Sequence, residues 1–186
     1  RQPLEIGRDA GAEVLVLGGD LLPSLRKVRG YEEMVSEQRG FIGTFLLPFF
    51  RETLKTRFRQ LLLIPGNWDP AYPEIFAAPP EGLIDLDRKK FRLEGGYEFI
   101  GYPFVPPTPF RPKDYEKMDD PDSPWPPQKN PSYVRSSQPP YDLSPVDSAP
   151  YLREKGTIEK DLEDLPIPED MDKAVYVMHS PPFKTN

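Results

Sequence analysis

The sequence predicts an α/β fold in which helices and strands form packed layers. Two observations support this prediction. Three short apolar runs, EVLVL (13–17), LLLIP (61–65) and AVYVM (174–178), are typical of strands, and the first reads as a strand buried on both faces. A segment with helical periodicity lies between the first two runs. Helices that alternate with buried strands are typical of layered α/β domains.

The first half of the chain predicts two helices and two strands. Residues 1–12 are typical of the last turns of a helix that ends at Gly11, and a strand over 13–17 follows. Residues 21–44 show a mixed pattern. Apolar residues three and four positions apart predict an amphipathic helix over 45–60, ahead of the second strand. These apolar residues are Leu46, Leu47, Phe50, Leu54 and Phe58.

The second half predicts short strands and one further helix. Turn signals separate possible strands over 83–87, 90–96 and 97–104, which we expect to form a meander. Residues 154–165 have a helical pattern, and the third apolar run follows it.

The segment 103–150 has neither helical nor strand periodicity. It contains more than half of the 26 prolines of the chain. Long irregular segments in compact domains are usually functional or disordered. Two interpretations stay open: the segment is a lid over a site, or it is a surface excursion without contact with a substrate.

Composition limits the class of protein. A length of 186 residues predicts one domain, 1–186, in which 103–150 is an insertion. The absence of cysteine excludes disulfides and thiolate metal sites and favours a cytoplasmic location. No apolar run approaches the roughly 18–20 residues of a membrane helix. The net charge of −6 argues against nucleic-acid binding but permits a phosphorylated small molecule held through metal ions.

Each of the three apolar runs is followed by a polar side chain. These are Asp20, Asn67 and His179, the only histidine of the chain. In α/β sheets ligands bind outside the carboxyl ends of strands, so we expect the three side chains to converge on one crevice. Carboxylate, amide and imidazole groups all ligate metal ions. Each residue alone also has a structural interpretation, because Gly-Asp, Gly-Asn and a His before Ser-Pro-Pro are ordinary in turns and loops.

These residues resemble the motifs of the calcineurin-like metallophosphoesterases. The family pattern is Asp-x-His, Gly-Asp, Gly-Asn-His-Asp or a variant, a strand-terminal His, and Gly-His-x-His. Here GGD (18–20), GNWD (66–69) and VMHSPP (177–182) match the three middle blocks in order. The resemblance covers roughly residues 13–182, except for 103–150.

The resemblance implies a fold, a reaction and a set of ligands. The fold would be a two-sheet α/β sandwich flanked by helices. Asp20 would bridge two divalent ions (Mn, Fe, Zn or Mg), and Asn67 and His179 would ligate one of them. A hydroxide held between the ions would attack a phosphomonoester or phosphodiester. Asp20, Asn67 and His179 are therefore the expected catalytic and metal-binding residues, and Asn67 is also expected to contact the substrate.

The sequence departs from the family pattern at its ends. The Asp-x-His block would precede the helix that ends near Gly11, and the Gly-His-x-His block would follow His179. Neither block is in the 186 residues, so we expect the chain to be a fragment truncated at both ends. The residues present would then complete neither ion's coordination.

Trp68 stands where the family usually has a histidine that contacts the phosphate or protonates the leaving group. The indole N–H is only a donor, so this acid catalysis would be lost or come from elsewhere, which favours activated esters. A tryptophan at a cleft can also stack on a nucleobase or sugar, which makes Trp68 a candidate substrate-binding residue. Asp69 would then only brace the turn.

Two classes of function remain open. The leading hypothesis is a metal-dependent phosphoric ester hydrolase, and the alternative is a protein that keeps the scaffold to bind a protein partner with weakened catalysis. A generic α/β domain with coincidental turns is a third interpretation. The basic cluster Arg26, Lys27 and Arg29 either receives a phosphate or is a solvated face. The sequence leaves the substrate, the native metal and the oligomeric state open.

Overall fold

The computed structural model describes residues 3–23, 30–56, 58–123, 131–136 and 142–180, which form a mixed α/β arrangement. The strands of these residues are β1 (Val14–Leu17), β2 (Gln60–Leu63), β3 (Leu83–Asp85), β4 (Lys90–Arg92), β5 (Glu98–Tyr102), β6 (Ser132–Arg135), β7 (Leu143–Val146) and β8 (Ala174–Met178). The α-helices are α1 (Pro3–Asp9), α2 (Tyr31–Phe41), α3 (Leu47–Thr56), α4 (Pro73–Ala77), α5 (Ser148–Glu154) and α6 (Ile158–Glu163). The predicted α/β class is confirmed.

The first sheet is parallel and has the order β1-β2-β3. Leu17 at the end of β1 pairs with Leu63 at the end of β2, so the two strands finish level. Ile64 continues this ladder by donating its N–H to the carbonyl of Leu17 at 3.1 Å. The turns that follow β1 and β2 therefore start side by side at one edge of the sheet.

A layer of helices covers one face of the first sheet. A π-helical turn, Ile42–Leu46, joins α2 to α3 without a break. Pro48 has no N–H and would crowd the preceding turn of a regular α-helix, and the wider π turn lets the chain stay helical there. Phe50 and Leu46 pack with Leu61 and Leu63 of β2 in one buried cluster. None of the helices in the described ranges has both the length and the apolar composition of a membrane span.

The second sheet has the order β4-β5-β8, in which β4 and β5 are antiparallel and β5 and β8 are parallel. Leu62 and Ile64 pack in a buried cluster with Val177 of β8 and Phe99 of β5. Alternate residues of β2 thus contact the helical layer and the second sheet. β2 therefore contributes to both cores. Burial of each of its leucines stabilises the fold by about 1.5–3 kcal/mol.

Some details of the sequence prediction are wrong. β1 is not buried on both faces, since Val16 is 38% exposed. By contrast, Leu62 on the neighbouring strand β2 is fully buried against the second sheet. The expected meander does not form: β3 pairs with β2 in the first sheet, so of the three strands only β4 and β5 pair with each other, antiparallel. Of the helix expected over 45–60, residues 45–56 are the last part of a helical stretch that begins at Tyr31, whereas Gln60 is already in β2.

The described parts of the proline-rich segment contain strands that its sequence did not predict. β6 and β7 pair antiparallel, and β7 accommodates Pro145. The Arg135 side chain is fully buried and donates to the carbonyl of Ala71 at 2.9 Å, next to an ion pair with Glu74 and the ring of Tyr72. This strand pair is therefore anchored on the chain that leads from β2 into α4.

Buried charged groups hold the segment around residues 108–118. Lys113 is fully buried, and its ammonium donates to Glu116 at 2.8 Å and to the carbonyls of Thr108 and Phe110. The Lys155 ammonium donates to three carbonyls, those of Lys113, Asp114 and Glu116. Burial lowers the pKa of Lys155 to about 8. Satisfied donors of this kind fix a backbone that lacks regular secondary structure.

The Asp114 carboxyl group predicts a dependence of stability on pH. Burial raises its pKa to about 6, while the Arg135 N–H and the Lys155 ammonium oppose the shift. Between about pH 4 and pH 6 the folded state keeps a proton that the unfolded state has released, so the free energy of unfolding falls as pH rises. Asp114→Asn keeps an oxygen for the Arg135 N–H and removes the charge. We expect this variant to be more stable than the wild type by about 1–3 kcal/mol above pH 6, with the gain shrinking towards pH 4.

Urea unfolding at pH 4, 5.5 and 7 measures this difference. Asp119→Asn, at an exposed position, is the matched control. An equal gain for Asp114→Asn at every pH would show that the buried charge is not the cause.

Candidate functional site

Two tight turns follow the level ends of β1 and β2. In the first turn Gly19 and Asp20 have φ of 100° and 53°, which is the left-handed region that non-glycine residues seldom adopt. In the second turn the Asp69 N–H donates to the carbonyl of Gly66 at 3.1 Å. The turns place the side chains of Asp20 and Asn67 at the same edge of the first sheet.

His179 reaches this edge from the second sheet. It directly follows β8, and its N–H extends the ladder to β5 by donating to the carbonyl of Tyr102 at 3.1 Å. The imidazole Nε2 lies 3.0 Å from Asn67 Oδ1 and 3.4 Å from Asp20 Oδ1. The three residues predicted from the sequence therefore meet, and they come from two packed sheets.

The other ring nitrogen of His179 fixes the tautomer. Nδ1 lies 2.7 Å from the carbonyl oxygen of Gly18. A carbonyl only accepts hydrogen bonds, so Nδ1 carries a proton and donates it. Nε2 is then the nitrogen that faces Asn67 and Asp20, as in histidines that bind metals through Nε2.

The amide of Asn67 is also held in one orientation. Asn67 is 6% exposed, and its Nδ2 donates to Thr108 Oγ1 at 3.3 Å. Its Oδ1 is therefore the atom turned towards His179. Thr108 belongs to the proline-rich segment, which contributes directly to the site.

The atoms that meet here have the chemistry of cation ligands. With Nδ1 protonated, His179 Nε2 is an acceptor, and two further acceptors, Asn67 Oδ1 and Asp20 Oδ1, lie 3.0 and 3.4 Å from it. Acceptors at such distances repel one another unless a proton on Nε2 or a cation lies among them. Oxygen and imidazole ligands suit Mn, Fe, Zn or Mg. The residues present therefore fit part of the coordination sphere of one divalent ion.

The described residues do not supply a second set of ligands. Within them, no group of three or more His, Cys, Asp or Glu side chains is placed to hold a metal ion. The candidate set depends on the amide of Asn67, which is a neutral ligand. The total negative charge of the set is therefore low.

Asp69 links the two turns to each other. Its buried carboxylate accepts the N–H of Gly66 at 3.0 Å in its own turn, and those of Leu21 and Leu22 at 3.3 and 3.2 Å after β1. Burial raises the pKa of Asp69, and these backbone donors oppose the shift. The sequence suggested a brace for one turn, whereas Asp69 holds both. It also lines a cavity of about 270 Å³ on the helical side of the sheet.

Trp68 lies beside the three predicted ligands. Its backbone N–H donates to Asp20 Oδ1 at 3.0 Å, and its ring packs edge-on against Phe110 with 4.7 Å between centroids. The indole Nε1 is buried and has no hydrogen-bond partner among the described residues. The indole ring of Trp68 therefore lies beside the predicted ligands, while its N–H is enclosed by protein.

Sequence reasoning missed several groups at this site. The carbonyl of Gly18 and the side chains of Thr108 and Phe110 were not predicted. Residues Thr108 and Phe110 lie in a stretch without periodicity, so no local signal identifies them. The basic cluster at 26–29 lies outside the described residues.

Comparisons with protein-family models, with curated proteins and with solved structures gave no match for this chain.

Because the two turns lie so close together, we expect any side chain at Gly66 to destabilise the fold. A Cβ on Gly66 would overlap the carboxylate and backbone nitrogen of Asp20 and lie 2.7 Å from His179 Cε1. We expect Gly66→Ala to lower the free energy of unfolding by about 1–3 kcal/mol, as overpacking does. Gly18→Ala is the matched control, because a Cβ there meets nothing within 4 Å and the carbonyl to His179 is retained.

Urea unfolding of both variants measures the effect. We expect Gly18→Ala to stay within about 0.5 kcal/mol of the wild type. Equal stability of the two variants would show that the turns are not in tight contact.

Proposed function

We propose that this chain is part of a metal-dependent phosphoric ester hydrolase with a two-sheet α/β sandwich. The observation that supports the proposal is the convergence of His179 Nε2, Asn67 Oδ1 and Asp20 Oδ1, while the proton of the imidazole is donated to Gly18. The packing of two sheets through one shared cluster is in keeping with such a sandwich. The order of the three motifs along the chain gives further support.

Each residue has a definite role in this proposal. Asp20, Asn67 and His179 would hold one divalent ion, and the second carboxylate oxygen of Asp20 would serve a second ion. When bound, such ions polarise the phosphoryl oxygens and supply a nucleophile at neutral pH. The Gly18 carbonyl keeps Nε2 as the ligating nitrogen. Asp69 and the two turns hold Asp20 and Asn67 in place.

Trp68 and Phe110 would contact the part of the substrate beyond the phosphate. An indole does not exchange protons near neutral pH, so Trp68 cannot protonate a leaving group. Its ring can instead bind a planar group by stacking. The proposed substrate is therefore a phosphate ester with a planar substituent or a good leaving group.

Hydrolysis of bis(p-nitrophenyl) phosphate with and without Mn²⁺ tests the proposed reaction. We expect hydrolysis to require Mn²⁺, and Asp20→Ala and His179→Ala to lower kcat/KM by at least about 100-fold, because each removes a metal ligand. Glu81→Ala, at an exposed position outside the site, is the matched control and should retain full activity.

Calorimetric titration with Mn²⁺ accompanies the assay. Binding that disappears in Asp20→Ala supports the metal site even if the chosen ester is a poor substrate. Absence of both Mn²⁺ binding and hydrolysis in the wild type would sink the proposal and favour the alternative of a protein-binding scaffold.

Replacement of Trp68 tests the proposed contact with the substrate. Stacking of a base on an aromatic ring contributes about 1–3 kcal/mol, so we expect Trp68→Ala to raise KM for a nucleotide substrate by about 5- to 150-fold. The rise should be smaller for a simple aryl phosphate, and Trp68→Phe should restore most of the binding. An equal rise for both substrates would mean that Trp68 only supports the turn.

A further inference from the structure

A chain of hydrogen bonds connects a buried ion pair to Asn67. The Lys113 ammonium donates to Glu116 Oε2 at 2.8 Å, and both side chains are fully buried. The other carboxylate oxygen of Glu116, Oε1, accepts the hydroxyl proton of Thr108. Thr108 Oγ1 in turn accepts from Asn67 Nδ2 at 3.3 Å. The hydrogen bonds end at Asn67, whose Oδ1 lies 3.0 Å from His179 Nε2.

The direction of each hydrogen bond follows from the groups involved. An ammonium is only a donor and a carboxylate only an acceptor, so Glu116 accepts hydrogen bonds from both Lys113 and Thr108. Because the Thr108 hydroxyl donates to Glu116, Oγ1 can only accept from Asn67. A threonine in this state pairs with the NH₂ end of the amide and not with its oxygen.

We propose that Thr108 is a positioning residue, which the Lys113–Glu116 pair orients so that the amide oxygen of Asn67 faces His179 and a bound cation. This inference rests on the proposed function, since it assigns to Thr108 the orientation of a metal ligand. It also gives a role to the proline-rich segment, which supplies Thr108, Lys113 and Glu116.

The orientation matters because the two ends of an amide have opposite polarity. With Oδ1 inward, Asn67 presents lone pairs to a cation. A flipped amide would present N–H groups instead, which repel a cation and donate to the lone pair of Nε2. The oxygen and the NH₂ group of the Asn67 amide have nearly the same shape, so the shape of the side chain alone does not decide which of them faces His179.

The segment that carries Thr108 is fixed on several sides. The Thr108 N–H donates to Glu116 Oε2 at 3.1 Å, and the Thr108 carbonyl accepts from Lys113 at 2.9 Å. The Lys155 ammonium binds the carbonyl of Glu116 at 3.0 Å. The hydroxyl of Thr108 therefore has a fixed position relative to Asn67.

The test compares Thr108→Val with Thr108→Ser. Valine keeps the shape of Thr108 and the hydrogen bonds of its own N–H and carbonyl but lacks the hydroxyl, which also accepts the Phe110 N–H at 3.3 Å, whereas serine keeps the hydroxyl. Residues that support a metal ligand typically contribute 10- to 100-fold in metal affinity, so we expect Thr108→Val to weaken Mn²⁺ binding by about that factor in calorimetry. We expect Thr108→Ser to bind as the wild type does. Thr56→Val, an exposed threonine in α3, controls for the substitution itself.

Thr108→Val in an Asn67→Asp background tests whether Thr108 orients the amide of Asn67 or only supports the position of residue 67. A carboxylate has two equivalent oxygens, so it has no orientation for Thr108 to set. We expect Thr108→Val not to weaken Mn²⁺ binding in this background, because an aspartate offers Thr108 Oγ1 no donor, and a double-mutant cycle detects this coupling. An equal loss in both backgrounds would overturn the proposal.

A second readout needs no metal ion. The chain has one histidine, so its two ring nitrogens give one pair of ¹⁵N signals. In metal-free Thr108→Val at pH 9 we expect the Nε2 signal to shift, because a flipped amide can donate to it, and we expect no shift in Thr108→Ser. Unchanged signals in Thr108→Val would overturn the positioning role.

The two proposals fail in different ways. A wild-type chain that does not bind Mn²⁺ contradicts the proposed function, and the ¹⁵N signals still decide whether Thr108 orients Asn67. A wild-type chain that binds Mn²⁺ through Asp20, with Thr108→Val binding equally well, contradicts only the positioning role.

Discussion

The hydrogen bond between His179 Nδ1 and the Gly18 carbonyl is the interaction on which the site depends. It joins the end of β8 in the second sheet to the turn after β1 in the first, and it determines which ring nitrogen faces Asp20 and Asn67. The packing of Leu62 and Ile64 against Val177 keeps the two strand ends within reach of each other. The chemistry of the site is therefore a consequence of how the sheets pack.

The turns show why small residues surround the candidate ligands. Gly19 and Gly66 face each other, and a Cβ on Gly19 would lie 2.6 Å from His179 Nδ1. Asp69 supplies the oxygens that satisfy backbone N–H groups of both turns, so the close approach leaves these donors paired. Glycines at the contact and a carboxylate beside it together make room for three larger polar side chains.

The sequence predicted the groups that follow strong local signals and missed those that depend on tertiary contacts. Asp20, Asn67 and His179 could be found because each follows an apolar run and belongs to an ordered set of motifs. The parallel pairing of β3 with β2 could not be predicted, because the sequence of a short strand does not identify the strand it pairs with. Thr108 and Glu116 could not either, since their roles depend on buried hydrogen bonds within a stretch without periodicity.

The placement of His179 has a consequence for how the chain folds. Its ring contacts Gly18 across 161 residues of sequence, and it does so only once β8 has added to β5. Contacts of such long range form late, because closing a large loop costs conformational entropy. On a ribosome, the first sheet and its helices would emerge before His179 is synthesised, so the imidazole joins Asp20 and Asn67 only after the turns that carry them can form.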